Sequence, residues 1–173
     1  MTSGWQKSDL IIVAGRPSMG KTSFAMNMVE HATLNQDRPV LVFSLEMPAS
    51  QLITRMLSSM GKIDQTRMRT GSLQEDDWPR LSSAAQRLKD KPLFIDDSAG
   101  ITPFEMRSRI KQFTRERVEQ LRQQWHKEHG ADSQPDNEEL YRQAQPGMFM
   151  VDYLQLMSGS NASEGRVQEI SQI

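Results

Sequence analysis

The run Gly15-Arg16-Pro17-Ser18-Met19-Gly20-Lys21-Thr22 has the spacing G-x-x-x-x-G-K-[ST], which is built to hold a phosphate chain. Gly15 and Gly20 permit a tight turn whose successive N–H groups point inward at phosphate oxygens. Lys21 adds a mobile cation for the outer phosphates. The Thr22 hydroxyl can ligate Mg²⁺, and Ser23 follows at the start of the next element. Residues Gly15 to Ser23 are therefore expected to bind a nucleoside triphosphate.

Phosphoryl transfer from a Mg²⁺-bound nucleotide needs two further groups: a carboxylate to hold the metal's water shell and another to orient the attacking water. In a parallel sheet such groups belong at the carboxyl ends of strands. Glu46, the pair Asp96/Asp97 and Asp152 all follow apolar runs. Both Asp96 and Asp152 fit the apolar-run-then-Asp pattern of a metal-holding strand, and the residues alone leave the two open. A strand-terminal Asp also caps turns and helices without any catalytic role.

These side chains require elements to position them. Leu10-Ile11-Ile12-Val13-Ala14 reads as a buried strand running into the glycine loop, and Ser23 to Val29 reads as the helix leaving it. A helix N-terminus there adds positive potential for phosphate. Pro39 to Ser44, Pro92 to Asp96 and Met148 to Asp152 read as further strands. Ala49 to Ser59 and about Glu75 to Lys89 read as helices, the second with Trp78, Leu81, Ala85 and Leu88 on its apolar face. Gly61 to Ser72 reads as a polar loop. Thr102-Pro103-Phe104-Glu105 predicts a capping box with Pro at the first helical position, opening a helix that runs to about His129 before Gly130 stops it. Strands alternating with helices predict an α/β fold, mainly a parallel sheet covered on both faces. From Gln112 to Gln145 the chain is strongly polar, Arg-rich and then acidic. A basic helix could serve a nucleic acid or a partner, but a solvated helical hairpin is the expectation.

Bulk properties narrow the class. The 173 residues suffice for one hydrophobic core. Twenty-one Lys and Arg against 22 Asp and Glu give a formal charge of -1, so no global field draws nucleic acid or anionic membrane. The absence of cysteine excludes disulfides and thiolate metal sites. The N-terminus lacks the apolar core of a signal peptide, and no apolar run reaches membrane-spanning length. A cytoplasmic location without membrane contact is expected.

Three segments together carry a resemblance. Gly15 to Thr22 as G-R-P-S-M-G-K-T, Phe43-Ser44-Leu45-Glu46-Met47, and Val151-Asp152-Tyr153-Leu154-Gln155-Leu156-Met157 resemble the bacterial replicative DNA helicase family of the DnaB type. Gln65-Thr66-Arg67, Arg69-Thr70-Gly71 and Phe94-Ile95-Asp96-Asp97 support it, and the resemblance runs from about Ser8 onward. It implies a RecA-like ATPase domain, ATP and Mg²⁺ as cofactors, and a homo-hexameric ring around single-stranded DNA, with primase and a helicase loader as partners. By the matching positions, Lys21 and Thr22 hold phosphate and Mg²⁺, Asp152 holds the metal through its water shell, and Glu46 is the base that orients the hydrolytic water. No catalytic role carries over onto Asp96 or Asp97. The loop Ser158 to Arg166 corresponds to a channel-lining segment, so Glu164, Gly165 and Arg166 are its expected DNA-binding residues. Small flexible residues with an arginine suit phosphate contacts, although a plain surface loop has the same composition.

The pattern departs from the family in two places. The polar stretch at about 112–147 is longer than the family's usual connection, which predicts an insertion. The sensor strand and arginine finger of the family are expected beyond Ile173, and its primase-binding domain is expected to lie outside residues 1–173. Residues 1–173 thus read as a partial RecA-like domain, incomplete at the C-terminus, with a sheet loosened beside Ile11 to Val13 and little activity alone. The phosphate loop by itself would also permit another RecA-like ATPase, for recombination or signalling, or a non-catalytic ATP-binding assembly module. Phe43 to Met47 favours the helicase over the first, and the Glu46 carboxylate argues against the second.

Overall fold

The computed structural model describes residues 4–16, 18–130 and 133–157. Within them lie helix α1 (Lys21–Asn35), strand β1 (Val40–Ser44), helices α2 (Ala49–Gly61), α3 (Gln65–Thr70) and α4 (Asp77–Lys89), strand β2 (Leu93–Asp96), helices α5 (Pro103–His129) and α6 (Asn137–Ala144), and strand β3 (Met148–Asp152), followed by a 3₁₀ turn at Leu154–Leu156. The three strands form a parallel sheet in the order β2-β1-β3.

β1 is the central strand, and its sequence explains why. All five residues are buried, as expected where a parallel strand is covered on both faces. Alternation sends Val40 and Val42 to one face, where they pack with Met26, Val29 and Ala32 of α1, Leu52 and Met56 of α2, and Met150. Leu41 and Phe43 point to the other face and meet Ile101, with Met106, Ile110 and Phe113 of α5 packed against them. Phe113 also lies beside Phe94 of β2, with ring centroids 5.2 Å apart. The architecture is α/β, a parallel sheet with helices on both faces.

α5 forms as its sequence predicts. Thr102 accepts from the Glu105 N–H, the Glu105 carboxylate accepts from the Thr102 N–H at 2.8 Å, Pro103 occupies the first turn, and Gly130 follows the last. Twenty-seven residues make a helix of about 40 Å, while a five-residue strand spans about 17 Å. The half after Thr114 therefore overshoots the sheet, and α6 packs back on it as a helical hairpin, tied by Arg122 to Asn137 at 3.1 Å.

Three expectations are corrected. Leu10 to Ala14 forms no strand: Leu10 is 87% and Ile12 73% exposed. An apolar run becomes a strand only where a neighbour accepts its backbone hydrogen bonds, and among the described residues β3 pairs on one side alone, with β1. The expected polar loop from Gly61 to Ser72 contains α3, because Asp64 caps it by accepting from the N–H groups of Thr66 and Arg67. In α4 the inward face is Asp77, Leu81, Ala84 and Leu88, whereas Trp78 is 59% exposed and Ala85 also faces water. The face turns by one residue because Asp77 is drawn inward, accepting from Arg67 at 3.0 Å and from the Gln74 N–H at 3.0 Å. The Gln74 N–H, then Arg67, hold the Asp77 carboxyl below its ordinary pKa despite burial.

Candidate nucleotide site

Of the residues expected to cradle phosphate, Pro17 lies outside the described residues, as do Glu164, Gly165 and Arg166. The rest form a turn entering α1. Ser18 (φ 63) and Gly20 (φ 83) both adopt the left-handed conformation, which costs nothing at Gly20 because it has no Cβ. Gly20 also stands at the N-cap of α1, so no side chain caps the helix. Its first N–H groups are left to an external acceptor, the arrangement that favours an anion at a helix start. Arg16, Met19, Gly20 and Ser23 are exposed, and Lys21 and Thr22 half-buried. Lys21 folds back over the turn and donates from Nζ to the Gly15 carbonyl at 2.8 Å. A Cβ at Gly15 would make ordinary van der Waals contact with the Lys21 side chain, at 3.4 Å.

Thr22 meets Asp152. Its hydroxyl donates to a carboxylate oxygen of Asp152 at 2.7 Å, joining the first turn of α1 to the end of β3. Asp152 is only 6% exposed, and among the described residues Thr22 is its one side-chain partner. One hydroxyl and one carboxylate side by side are hard oxygen donors of the kind Mg²⁺ takes alongside phosphate oxygens and water. No cluster of three or more His, Cys, Asp or Glu side chains competes for a metal among the described residues. The donor set fits a nucleotide-bound Mg²⁺ and not an all-protein metal cage.

The other strand-end carboxylates are engaged elsewhere. Asp96 is buried and ion-paired with Arg109 of α5; it also accepts from the Ser98 N–H at 3.0 Å, and Arg109 reaches the Ser98 hydroxyl at 2.7 Å. Burial raises the Asp96 pKa, but the hydrogen bonds from Arg109 and Ser98 and the Arg109 charge outweigh it and leave the group below its ordinary value. Asp97 accepts from the Ala49 N–H at 2.9 Å, at the start of α2. Of the two Asp residues with the same local pattern, Asp152 is therefore the one beside the phosphate loop.

Glu46 is exposed in the turn between β1 and α2. Ser44, which precedes that turn, is the register partner of Asp152, so Glu46 stands two residues beyond the level of Asp152, after the adjacent strand. The Leu45 N–H donates to the Asp152 carbonyl at 2.7 Å. The Ser44 hydroxyl donates to the Met47 carbonyl at 2.7 Å and accepts from the Met47 N–H at 3.3 Å. The turn is fixed while the Glu46 carboxylate stays accessible. The role of Ser44 escaped the sequence reading, where it appeared only within a motif. A polar residue ending a wholly apolar strand was the available signal.

Comparison with known proteins follows the same lines. The family model of the DnaB-like helicase C-terminal domain matches residues 1–123. The replicative DNA helicase DnaB of Buchnera aphidicola subsp. Acyrthosiphon pisum is 45% identical over 173 residues, covering 99% of this chain and 32% of that protein. The replicative DNA helicase DnaB of Pasteurella multocida is 46% identical over 174 residues, again covering 99% of this chain and 32% of the relative. The chain thus spans about a third of the length of these relatives. Among solved structures, a DnaB-like replicative helicase described with its interactions with primase superposes with a TM-score of 0.69 at 28% identity, over 91% of this chain and 32% of that one. A solved ATPase domain gives a TM-score of 0.70 at 28% identity, over 91% of this chain and 47% of its own. With the fold, the phosphate loop and these matches in agreement, the chain belongs to the DnaB-like helicase C-terminal domain family.

Proposed function

We propose that this chain is part of the motor of an ATP-dependent replicative DNA helicase, which hydrolyses ATP to translocate on single-stranded DNA and unwind duplex. The observation that carries the reading is the Thr22–Asp152 hydrogen bond beside the uncapped start of α1. It brings a phosphate-binding helix terminus and a metal-type donor pair together in a chain of this family.

Residues 15 to 23 hold the triphosphate, with Lys21 leaving the Gly15 carbonyl to neutralise the outer phosphates. Thr22 and Asp152 would hold Mg²⁺, and the cation would neutralise charge on the phosphate oxygens. Glu46 accepts a proton from the attacking water and orients it. Glu164, Gly165 and Arg166 contact the phosphates of single-stranded DNA. The full protein works in the cytoplasm as a homo-hexamer with primase and a helicase loader as partners. Among the described residues no helix is long and apolar enough to cross a membrane.

Residues from about 112 to 147 form an insertion in the ATPase domain. Two observations support this: the first half of α5 packs on the sheet while the second packs on α6, and the family match ends at residue 123, inside α5.

Nucleotide binding and turnover by two variants of the full-length protein test the assignment. Lys21→Ala removes a ground-state phosphate contact and should weaken ATP binding by about tenfold to a hundredfold. Glu46→Gln should retain binding and lose about 10²–10⁴ in turnover. A Glu46→Gln protein hydrolysing at the parent rate would remove Glu46 from the mechanism.

A further inference from the structure

We propose that Asp97 is a positioning residue for ATP hydrolysis: it caps α2 from outside and so fixes the turn that presents Glu46. The inference rests on the assignment of Glu46 as the water-orienting base.

α2 begins without a side-chain cap of its own. Pro48 occupies the N-cap position and makes no side-chain hydrogen bond there, since proline has no oxygen to offer the helix. The first N–H, that of Ala49, is satisfied instead by Asp97, which lies just past β2 and 48 residues along the chain. A carboxylate is well suited to the task, because the start of a helix carries partial positive charge.

Asp97 is itself held in place. Its neighbour Asp96 is buried and joined to Arg109 of α5, and the Ser98 N–H and hydroxyl are engaged by Asp96 and Arg109. The segment 96–98 is therefore anchored to the long helix on the opposite face of the sheet. From that anchor Asp97 reaches over to α2.

Glu46 lies between fixed points. Before it, Leu45 is bonded to the Asp152 carbonyl; after it, Met47 is clasped by Ser44, and Ala49 is bonded to Asp97. The first two tethers fix the start of the turn. The Asp97 bond adds a polar link from the start of α2 to the end of β2, beside the core packing of Leu52 and Met56, and without it the first turn of α2 is free to shift and carry the far end of the Glu46 turn with it. Displacement of a catalytic group by about 1 Å can cost about a hundredfold in rate.

The test is ATP hydrolysis and nucleotide affinity in the full-length protein for Asp97→Ala, Asp97→Asn and Asp97→Ser, with Asp97→Ala also combined with Glu46→Gln. Asp97→Ala should lower kcat by about 10–100-fold and leave KM and nucleotide affinity within about twofold. Asn keeps an oxygen at the same reach and should restore most of the rate, whereas Ser, whose hydroxyl is one bond shorter, should not. In the Glu46→Gln background, Asp97→Ala should add no further loss, because its effect passes through Glu46. Parent kcat for Asp97→Ala, alongside an inactive Glu46→Gln, would overturn this inference alone. Equal losses in affinity and rate, or an additive loss in the double variant, would also overturn it and reduce Asp97 to a structural cap. Parent turnover by Glu46→Gln would instead overturn the base assignment beneath it.

Discussion

The Thr22 hydroxyl lies 2.7 Å from a carboxylate oxygen of Asp152, closing a contact between residues 130 positions apart in the chain. One partner comes from the phosphate loop and the other from the end of β3. The pair joins the first turn of α1 to the strand whose register aligns with Ser44 and the Glu46 turn.

Asp152→Asn separates the charge at this point from its geometry. Asparagine keeps an oxygen for the Thr22 hydroxyl, so thermal stability without nucleotide should move by no more than about 1 kcal/mol. The charge is lost, and Mg²⁺-dependent turnover should fall by about 10–100-fold or more. Thermal unfolding and an ATPase titration with Mg²⁺ measure the two effects. A large stability loss with normal metal response would make Asp152 a structural residue.

Gly20→Ala tests the conformation of the loop. The site has open space around a new Cβ, but φ of 83° costs an L side chain about 1–2 kcal/mol. Nucleotide affinity should fall severalfold as the loop relaxes toward negative φ. Equilibrium binding of a labelled nucleotide checks this, and unchanged affinity would show that the loop does not need its left-handed residue.

How much of this was legible in the sequence depended on how local each signal was. The start of α1, β1, β3 and the capped start of α5 are encoded within a few neighbouring residues, and each formed as expected. Leu10 to Ala14 carries an equally clear apolar run but no strand, because pairing is set by a partner elsewhere. α3 was hidden because a six-residue helix has too few turns to display a period, and only its ends, Asp64 and Gly71, marked it. In the site, Lys21 and Thr22 were fixed by spacing. Asp96 and Asp152 could not be separated, since the choice depends on which strand end meets α1. Asp97 stood among the strand-end candidates, but its bond to α2 was not legible for the same reason: the partner lies 48 residues away.

The Asp96–Arg109 pair predicts a definite pH response. The Asp96 pKa is lowered on folding, so its stabilisation is present above the unfolded carboxyl value of about 3.9 and is lost as pH falls through the lower folded value. Asp96→Asn should cost about 1–3 kcal/mol at neutral pH, and the gap from the parent should narrow below about pH 4. Unfolding midpoints measured from pH 7 to pH 3 give the comparison. A gap that is constant with pH would mean that the charge of Asp96 contributes nothing.

The central claim is that the chain belongs to a DNA-driven ATP motor, and steady-state ATP hydrolysis by the full-length protein, with and without single-stranded DNA, tests it most directly. The account predicts Mg²⁺-dependent turnover that rises when single-stranded DNA is added and disappears in Glu46→Gln. Tight nucleotide binding with no turnover in either condition would contradict it, and would leave the phosphate loop as an assembly site.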